Sequence, residues 1–239
     1  MPAALVQRQP ERTGRDGAAW FSTPAGAAVL ASETEAIRRA LAHRPGQPWL
    51  WLAAGPAPPH ADASGLVLNG TGDRFDGPLR CALPLPLASE SVGTVVVQHL
   101  ADICGETAHL FAECQRVLVP GGCLWLFALN PLAPYRWRWT RQGPGAREPV
   151  SWRRRLRSAG FRPEAVSQGL GPRWRVEQAA DLQHGAGLRA AFLLRAEKRL
   201  VPLTPARARR ALRLPGAVPA ALTHSTGHVM AQGNDDKWQ

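Results

Sequence analysis

The pattern of apolar and polar positions predicts one helix–turn–strand unit most clearly, between residues 110 and 130. Apolar residues first recur at helical spacing, at Leu110, Phe111, Cys114, Val117 and Leu118. Pro120 cannot continue a helix, and Gly121 and Gly122 permit the positive φ of a tight turn. Residues 123–129 are then apolar without alternation, as in a strand covered on both faces. A helix that leads into such a strand through a short turn is typical of an α/β protein with a parallel sheet.

Further elements follow from the same periodicities. Thr23 and Pro24 are typical of a helix start, and an apolar stripe from Ala27 to Leu41 predicts a helix that ends near Arg44. Such an N-terminal helix would cover the sheet edge or form a lid over a site. Strands are predicted at residues 49–54, 65–69, 78–82, 92–98, 165–166 and 190–196. A helix is predicted at residues 151–159, with Ser151 as its N-cap.

Length and composition fit one domain with extensions. The chain has 239 residues, of which 45% are hydrophobic, and this suffices for one substantial core. We predict a disordered N-terminal segment at residues 1–17 and a folded domain at residues 18–200. Residues 201–239 are predicted to form a basic arm and a disordered tail.

The sequence predicts a cytoplasmic protein without a metal site. No apolar run is long enough to span a membrane, and no leader pattern opens the chain. The histidines show no metal-ligand spacing to acids or cysteines. The four cysteines form no C-x-x-C pair, so we expect them to be reduced and mostly buried.

The positive charge is concentrated in one segment. Residues 136–213 carry 18 Arg and Lys198 against five acids, a net charge of +14, whereas residues 1–135 have a net charge of −2. Such a block suits polyanions, for example nucleic acid or an anionic membrane surface. Because 27 of the 29 basic residues are Arg, a GC-rich genome that codes Arg wherever a solvated cation suffices also explains the excess. We favour this second explanation.

Residues 135–141 alternate aromatic side chains with Arg. Flat rings among cations are typical of proteins that bind single-stranded nucleic acid. The alternative is a cap in which Trp137 and Trp139 pack on the sheet edge while the Arg stems extend along the surface. We favour packing, so nucleic acid is an open but disfavoured partner.

Several segments resemble class I S-adenosylmethionine-dependent methyltransferases, in the methyltransferase type 11-like group. Residues 116–122 (RVLVPGG) are similar to the R-V-L-x-P-G-G turn of that group, and residues 85–93 (LPLASESVG) to its L-P-F-x-D-x-S-F-D segment. Residues 159–161 resemble the end of its helix after strand five, and residues 191–198 its last strand. The resemblance implies an α/β, Rossmann-like, doubly wound sheet of seven strands in the order 3-2-1-4-5-7-6.

The resemblance also implies that the cofactor S-adenosylmethionine binds at the carboxyl ends of the strands. The implied cofactor-binding residues are Gly55, Asn69, Ala82, Leu83 and Gln98. The acid and the two later glycines of the family's first motif are absent, with Ala53, Ala57 and Pro59 at those positions.

Two residues lie on the implied substrate side. His99 is the candidate catalytic residue, because its ordinary pKa suits proton transfer near neutrality; a structural hydrogen-bonding role is the alternative. Asn130 follows the strand at residues 123–129, where a subset of the family borders the substrate opening.

Two functions are consistent with these features. The first is an S-adenosylmethionine-dependent methyltransferase of unknown substrate, either a small molecule or a macromolecule. The alternative is a catalytically inactive methyltransferase-like protein that binds an anionic partner, nucleic acid or protein, through its Arg-rich segment. A cofactor-binding isotherm would separate the two.

Overall fold

The structure is a computed structural model that describes residues 14–55, 64–71, 74–139 and 143–199. The chain divides into two units, Met1–Val201 and Pro202–Gln239. The predicted arm and tail at residues 201–239 lie outside the described residues, as does most of the predicted disordered segment.

Helices and strands alternate along the first unit. The helices are α1 (Gly14–Trp20), α2 (Pro24–Leu41), α3 (Leu100–Ile103), α4 (Thr107–Val117) and α5 (Pro149–Ser158), with a 3-10 helix at Pro134–Arg138. The strands are β1 (Trp49–Ala53), β2 (Gly65–Gly70), β3 (Arg74–Asp76), β4 (Cys81–Ala82), β5 (Val92–Gln98), β6 (Leu118–Leu129), β7 (Phe161–Pro163), β8 (Gln168–Leu170), β9 (Gln183–His184) and β10 (Ala191–Lys198). Within the described ranges, no helix is long and apolar enough to cross a membrane.

The ten described strands form one sheet. Their order is β4-β3-β2-β1-β5-β6-β10-β8-β9, and β7 also pairs with β10. The central strands β2, β1, β5 and β6 run parallel, and β10 runs antiparallel to β6. The carboxyl ends of the four parallel strands therefore meet at one edge, which we call the carboxyl edge. The predicted α/β class with a mostly parallel central sheet is confirmed.

The predicted helix and buried strand are both found, but Pro120, Gly121 and Gly122 lie inside β6 as an irregularity and not in a separate turn. Helix α4 ends at Val117, and β6 starts at the next residue. Gly121 has a φ of 71°, a left-handed conformation that glycine adopts without steric cost. The pairing with β5 shifts register here, between Val92 and Thr94. Beyond this irregularity, β6 lies between β5 and β10 and is a central, buried strand.

Helix α2 begins where the sequence predicts. Thr23 is its N-cap, with the hydroxyl oxygen accepting a hydrogen bond from the Gly26 N–H at 3.2 Å, and Pro24 occupies the first turn. The buried stripe of α2 consists of Gly26, Val29, Ser32, Glu33, Ala36, Ile37, Ala40 and Leu41. A buried glutamate on this stripe leads directly to the candidate site.

The predicted count of seven strands is wrong, because both sides of the sheet end in short antiparallel pieces. In place of one strand at residues 78–82, the short strands β3 and β4 pair with each other. In place of a strand at residues 165–166, β7 and β8 lie on either side of those residues, and β9 pairs with β8. Strands of two or three residues carry no readable periodicity, and their number depends on pairing partners far away in the sequence.

Two helix starts differ from the prediction. Helix α5 starts at Pro149 with Glu148 as its N-cap, so Ser151 lies inside the helix, because proline fits the first turn. Helix α1 starts at Gly14, within the segment 1–17 that the sequence predicts to be disordered.

The prediction for the aromatic pair after β6 is half correct. Trp139 is buried, as predicted, and its ring packs edge-on against Trp20 at 5.5 Å between centroids. Trp137, however, is 76% exposed, so the prediction that it packs on the sheet is wrong. It lies within the 3-10 helix, which has three residues per turn, so residues two positions apart point in different directions.

Candidate functional site

A buried polar cluster lies at the carboxyl edge. Strand β5 ends at Gln98, and the next residue, His99, caps helix α3. Glu33 comes to this edge from the buried stripe of α2, and Asp102 comes from α3. The four residues are almost completely buried, and Asp102 is the most exposed at 6%. We call these four residues the carboxyl-edge cluster.

Hydrogen bonds connect the carboxyl-edge cluster into one network. His99 lies between two carboxylates, with Nε2 2.8 Å from Glu33 Oε1 and Nδ1 2.9 Å from Asp102 Oδ2. Gln98 Nε2 donates to Glu33 Oε2 at 2.7 Å, and Gln98 Oε1 accepts from Trp51 Nε1 at 3.1 Å. The network thereby ties α2 to two parallel strands and to α3.

The protonation state of His99 follows from its two carboxylate neighbours. Burial alone lowers the pKa of His99, but the charges of Glu33 and Asp102 and the hydrogen bonds to them outweigh burial and raise this pKa to about 9. Burial raises the pKa of Asp102, opposed by its hydrogen bonds with His99 and with the Leu129 N–H. The raised pKa favours the imidazolium form of His99 near neutral pH, in contact with both Glu33 and Asp102. In this conformation His99 has no lone pair to accept a proton, so its role as a catalytic base stays a prediction that requires the cluster to open.

The N-terminal segment also contacts His99 through a ring. His99 has φ 54° and ψ −1°, in the left-handed region that His tolerates better than most residues. Its imidazole stacks on the Phe21 ring, with centroids 4.7 Å apart and an interplanar angle of 25°. Phe21 is fully buried. The segment before and within α2 therefore covers this part of the carboxyl edge.

The same segment fills the space beside Gly55. A Cβ atom added at Gly55 would lie 3.0 Å from Leu30 Cδ1 and 3.0 Å from Phe21 Cβ. Ala53, which stands where the family has an acid, is buried and offers no charge. In this conformation the residues beside Gly55 do not fit the methionine portion of S-adenosylmethionine.

Asn69, in contrast, carries an acceptor atom whose chemistry suits the ribose portion. It lies near the end of β2 and pairs with Ala53 of β1 and Asp76 of β3. Its Oδ1 atom is buried and accepts no hydrogen bond from any described residue. A buried acceptor without a donor costs about 1–3 kcal/mol, and a ribose hydroxyl is a donor that would satisfy it.

The structure places the other predicted site residues away from the carboxyl-edge cluster or in structural roles. Ala82 is exposed on strand β4, two strands away from β2 in the sheet. Leu83 packs, partly buried, against the core. Asn130 is fully buried, and its side chain donates to the carbonyls of Gly187 and Arg189 at 2.9 and 3.0 Å, so it shapes the turn after β6.

Sequence reasoning missed Phe21, Glu33 and Asp102. For Glu33 the helical register held a clue, since a carboxylate at this position interrupts the apolar stripe between Val29 and Ile37. Asp102 lies three residues after His99, a spacing that brings side chains together at a helix start. Across the described ranges, no group of His, Cys, Asp and Glu is arranged to hold a metal ion.

Comparison with known proteins bears on the fold. No family model matches the chain, and no curated protein matches it. An S-adenosylmethionine-dependent methyltransferase from Thermotoga maritima superposes with a TM-score of 0.53 at 18% identity, covering 76% of this chain and 94% of that one. A second S-adenosylmethionine-dependent methyltransferase, from Mesorhizobium loti, gives a TM-score of 0.44 at 14% identity, covering 70% of this chain and 98% of that one. A 1,6-didemethyltoxoflavin N1-methyltransferase from Burkholderia thailandensis, solved with S-adenosylhomocysteine bound, gives a TM-score of 0.45 at 12% identity, covering 70% of this chain and 78% of that one.

The strand order at the centre of the sheet agrees with the order implied by the sequence resemblance. The run β2-β1-β5-β6-β10 corresponds to the 2-1-4-5-7 portion of the order implied by the sequence resemblance. The likeness extends over nearly the whole of the Thermotoga protein. The chain therefore has the class I S-adenosylmethionine-dependent methyltransferase fold.

Proposed function

We propose that the protein is an S-adenosylmethionine-dependent methyltransferase of unknown substrate. The observation that carries the proposal is the buried Oδ1 of Asn69, which has no donor among the described residues and lies near the carboxyl edge. The fold supports it, because open α/β sheets bind their ligands at that edge. When bound, the cofactor would supply an electrophilic methyl group on a sulfonium centre.

Each part of the site has a defined task in this proposal. Asn69 accepts a hydrogen bond from a ribose hydroxyl. The carboxyl-edge cluster holds α2 over the edge, so Glu33 and His99 act as positioning residues. Phe21 and Leu30 must move away from Gly55 before the methionine portion can enter. The N-terminal helix is then a lid, one of the two roles that the sequence predicts for it.

The packing beside Gly55 favours a second candidate function. Phe21 and Leu30 fill the space that the methionine portion needs, and Ala53 replaces the family's acid. A catalytically inactive protein with the methyltransferase fold has no need to open this space. In that case the Arg-rich segment at residues 136–213 would carry the function, by binding an anionic partner such as nucleic acid or protein.

Substitutions at Asn69 test the methyltransferase proposal. We expect Asn69→Ala to weaken binding of adenosine and of S-adenosylmethionine about fivefold to tenfold, the worth of one hydrogen bond. Asn69→Asp should strengthen binding of both, because a charged acceptor forms a stronger hydrogen bond with the ribose hydroxyl. Isothermal titration calorimetry measures the affinities, and thermal unfolding without ligand checks that each variant is folded.

A Leu30 variant separates the two candidate functions. Leu30→Ala removes one of the two side chains that fill the space beside Gly55. If the lid must open, this change should tighten binding of S-adenosylmethionine and leave adenosine binding unchanged, since adenosine lacks the methionine portion. No heat with either ligand at millimolar concentration, for the wild type and for both Asn69 variants and Leu30→Ala, would contradict the methyltransferase and favour the inactive protein.

A further inference from the structure

Seven large apolar side chains are exposed among the described residues, and five of them lie on the loop after β6, the loop after β8 and the turn directly before β10. Their exposed fractions are high, at 64% for Leu132, 76% for Trp137, 66% for Trp174, 42% for Val176 and 51% for Leu188. None of the five belongs to a strand or an α-helix. Apolar side chains of this size are costly to hydrate, and a group of them on one surface marks an interaction site.

Two hydrogen bonds connect these loops to one another. Arg138 Nη2 donates to the carbonyl of Trp174 at 3.2 Å, which joins the loop after β6 to the loop after β8. Asn130 Nδ2 donates to the carbonyl of Gly187 at 2.9 Å, which joins the loop after β6 to the turn before β10. We call the surface formed by residues 131–138, 172–176 and 187–189 the loop surface.

The loop surface is cationic. Four of its residues are exposed arginines, namely Arg136, Arg138, Arg173 and Arg175, and the nearest acid in sequence is the exposed Glu177, directly after Val176. The ion pairs seen between described residues involve none of these four. The Arg136 guanidinium lies 5.6 Å from the centre of the Trp137 ring. Cations and apolar side chains are therefore interleaved within one surface rather than separated.

We propose that the loop surface binds an anionic phospholipid bilayer. Tryptophan favours the boundary between headgroups and acyl chains, because its ring is apolar and its N–H is polar. Leu132, Val176 and Leu188 can enter the acyl region beside the two tryptophans. The four exposed arginines, which form no ion pair with a described residue, then meet lipid phosphates, each contributing attraction to an anionic surface.

The chemistry of the loop surface favours a bilayer over single-stranded nucleic acid. Single-stranded nucleic acid binds to aromatic rings that stack on its bases, and the exposed rings of Trp137 and Trp174 are able to stack in this way. The three exposed aliphatic side chains have no partner in such a complex, whereas a bilayer buries all five apolar groups together. The loop surface adjoins the end of β6 at the carboxyl edge, so a bound bilayer would face the side of the sheet where the candidate site lies. This inference does not depend on the proposed function.

Vesicle binding of the full chain tests the proposal. We expect co-sedimentation with vesicles of phosphatidylcholine mixed with phosphatidylglycerol and little with phosphatidylcholine alone. Trp137→Ala combined with Trp174→Ala should lower the vesicle partition coefficient at least about tenfold, since the variant lacks both rings that would lie between the headgroups and the acyl chains. Tryptophan fluorescence should be quenched by brominated lipids in the wild type and much less in the double variant.

A matched pair of arginine variants separates a specific surface from general attraction to a chain of net charge +11. Arg136→Gln with Arg175→Gln removes two charges from the loop surface. Arg154→Gln with Arg157→Gln removes two charges from exposed positions on α5. We expect the first pair to weaken vesicle binding about tenfold and the second pair much less.

Three results would overturn the proposal. Equal weakening of vesicle binding by the two arginine pairs would show that binding depends on the net charge of the protein and not on the loop surface. Full vesicle binding by the double tryptophan variant would show that the exposed rings are not inserted. Tight binding of a single-stranded oligonucleotide that is lost in the double tryptophan variant, without vesicle binding by the wild type, would assign the surface to nucleic acid. Unchanged thermal unfolding of each variant shows that the fold is intact.

Discussion

Replacing Leu126 with Asp is expected to prevent the protein from folding. Leu126 is fully buried in β6 and pairs in register with Val97 of β5 and Leu194 of β10, both of which are also fully buried. Losing a buried leucine side chain costs about 2–5 kcal/mol, and burying an unpaired carboxylate adds several more. The total stability of a domain is about 5–15 kcal/mol, so this one change removes most or all of it. Soluble yield, and urea unfolding of any soluble fraction, measure the effect.

The matched control places the same substitution outside the core. Leu132 is 64% exposed in the loop that follows β6, so Leu132→Asp should leave soluble yield and the free energy of unfolding nearly unchanged. A soluble, cooperatively unfolding Leu126→Asp variant would contradict the placement of β6 at the centre of the sheet.

The central part of the fold was predictable because its elements are long and locally encoded. Residues 123–129 form an unbroken apolar run after a Pro-Gly-Gly sequence, and such a run needs cover on both faces. The helix start at Thr23 and Pro24 and an apolar stripe that recurs along its 18 residues both predict helix α2. Each of these patterns is complete within its own segment, so no distant partner is needed to recognise it.

The edges of the sheet were not predictable for the opposite reason. Strands β3, β4 and β9 contain only two or three residues each, too few for any alternation to show. Each is a strand only because a neighbouring strand offers hydrogen bonds. Trp137 shows the same limit on a smaller scale, because its exposure depends on the direction of a short 3-10 helix and not on its residue type.

The candidate site was predictable in its location but not in its contents. The parallel sheet alone places Gln98 and His99 at the carboxyl edge. The partner of both, Glu33, lies more than sixty residues earlier on α2, and only the folded structure brings them together. The sequence suggested a catalytic role for His99, while the structure gives it two carboxylates and full burial.

Replacing Glu33 with Ala is expected to lower the free energy of unfolding by about 3–5 kcal/mol. The change leaves the His99 imidazolium with one of its two carboxylates, and it removes the acceptor of the Gln98 amide. The variant loses two hydrogen bonds to a buried charged group, and each such bond contributes about 1.5–3 kcal/mol. Urea unfolding at neutral pH measures the loss.

The control for Glu33 lies two residues further along the same helix. Glu35 forms ion pairs with Arg38 at 2.5 Å and Arg39 at 3.6 Å, but its side chain is 44% exposed. Exposed ion pairs contribute about 0–1 kcal/mol, so Glu35→Ala should change the free energy of unfolding little. Equal losses for the two variants would mean that the buried network contributes no more than a surface pair.

The pH dependence of stability tests the charge state of the network. On folding, the pKa of His99 rises from 6.5 to about 9, so the folded protein keeps a proton that the unfolded chain releases between these values. The resulting stabilisation is fully present below pH 6.5 and is lost as the pH rises through about 9. We expect the free energy of unfolding of the wild type to fall by about 3 kcal/mol across this window. In Glu33→Ala the fall should shrink, because the carboxylate whose charge raises this pKa most is gone. A flat wild-type profile, or an equally steep one in Glu33→Ala, would show that His99 is not an imidazolium held by Glu33.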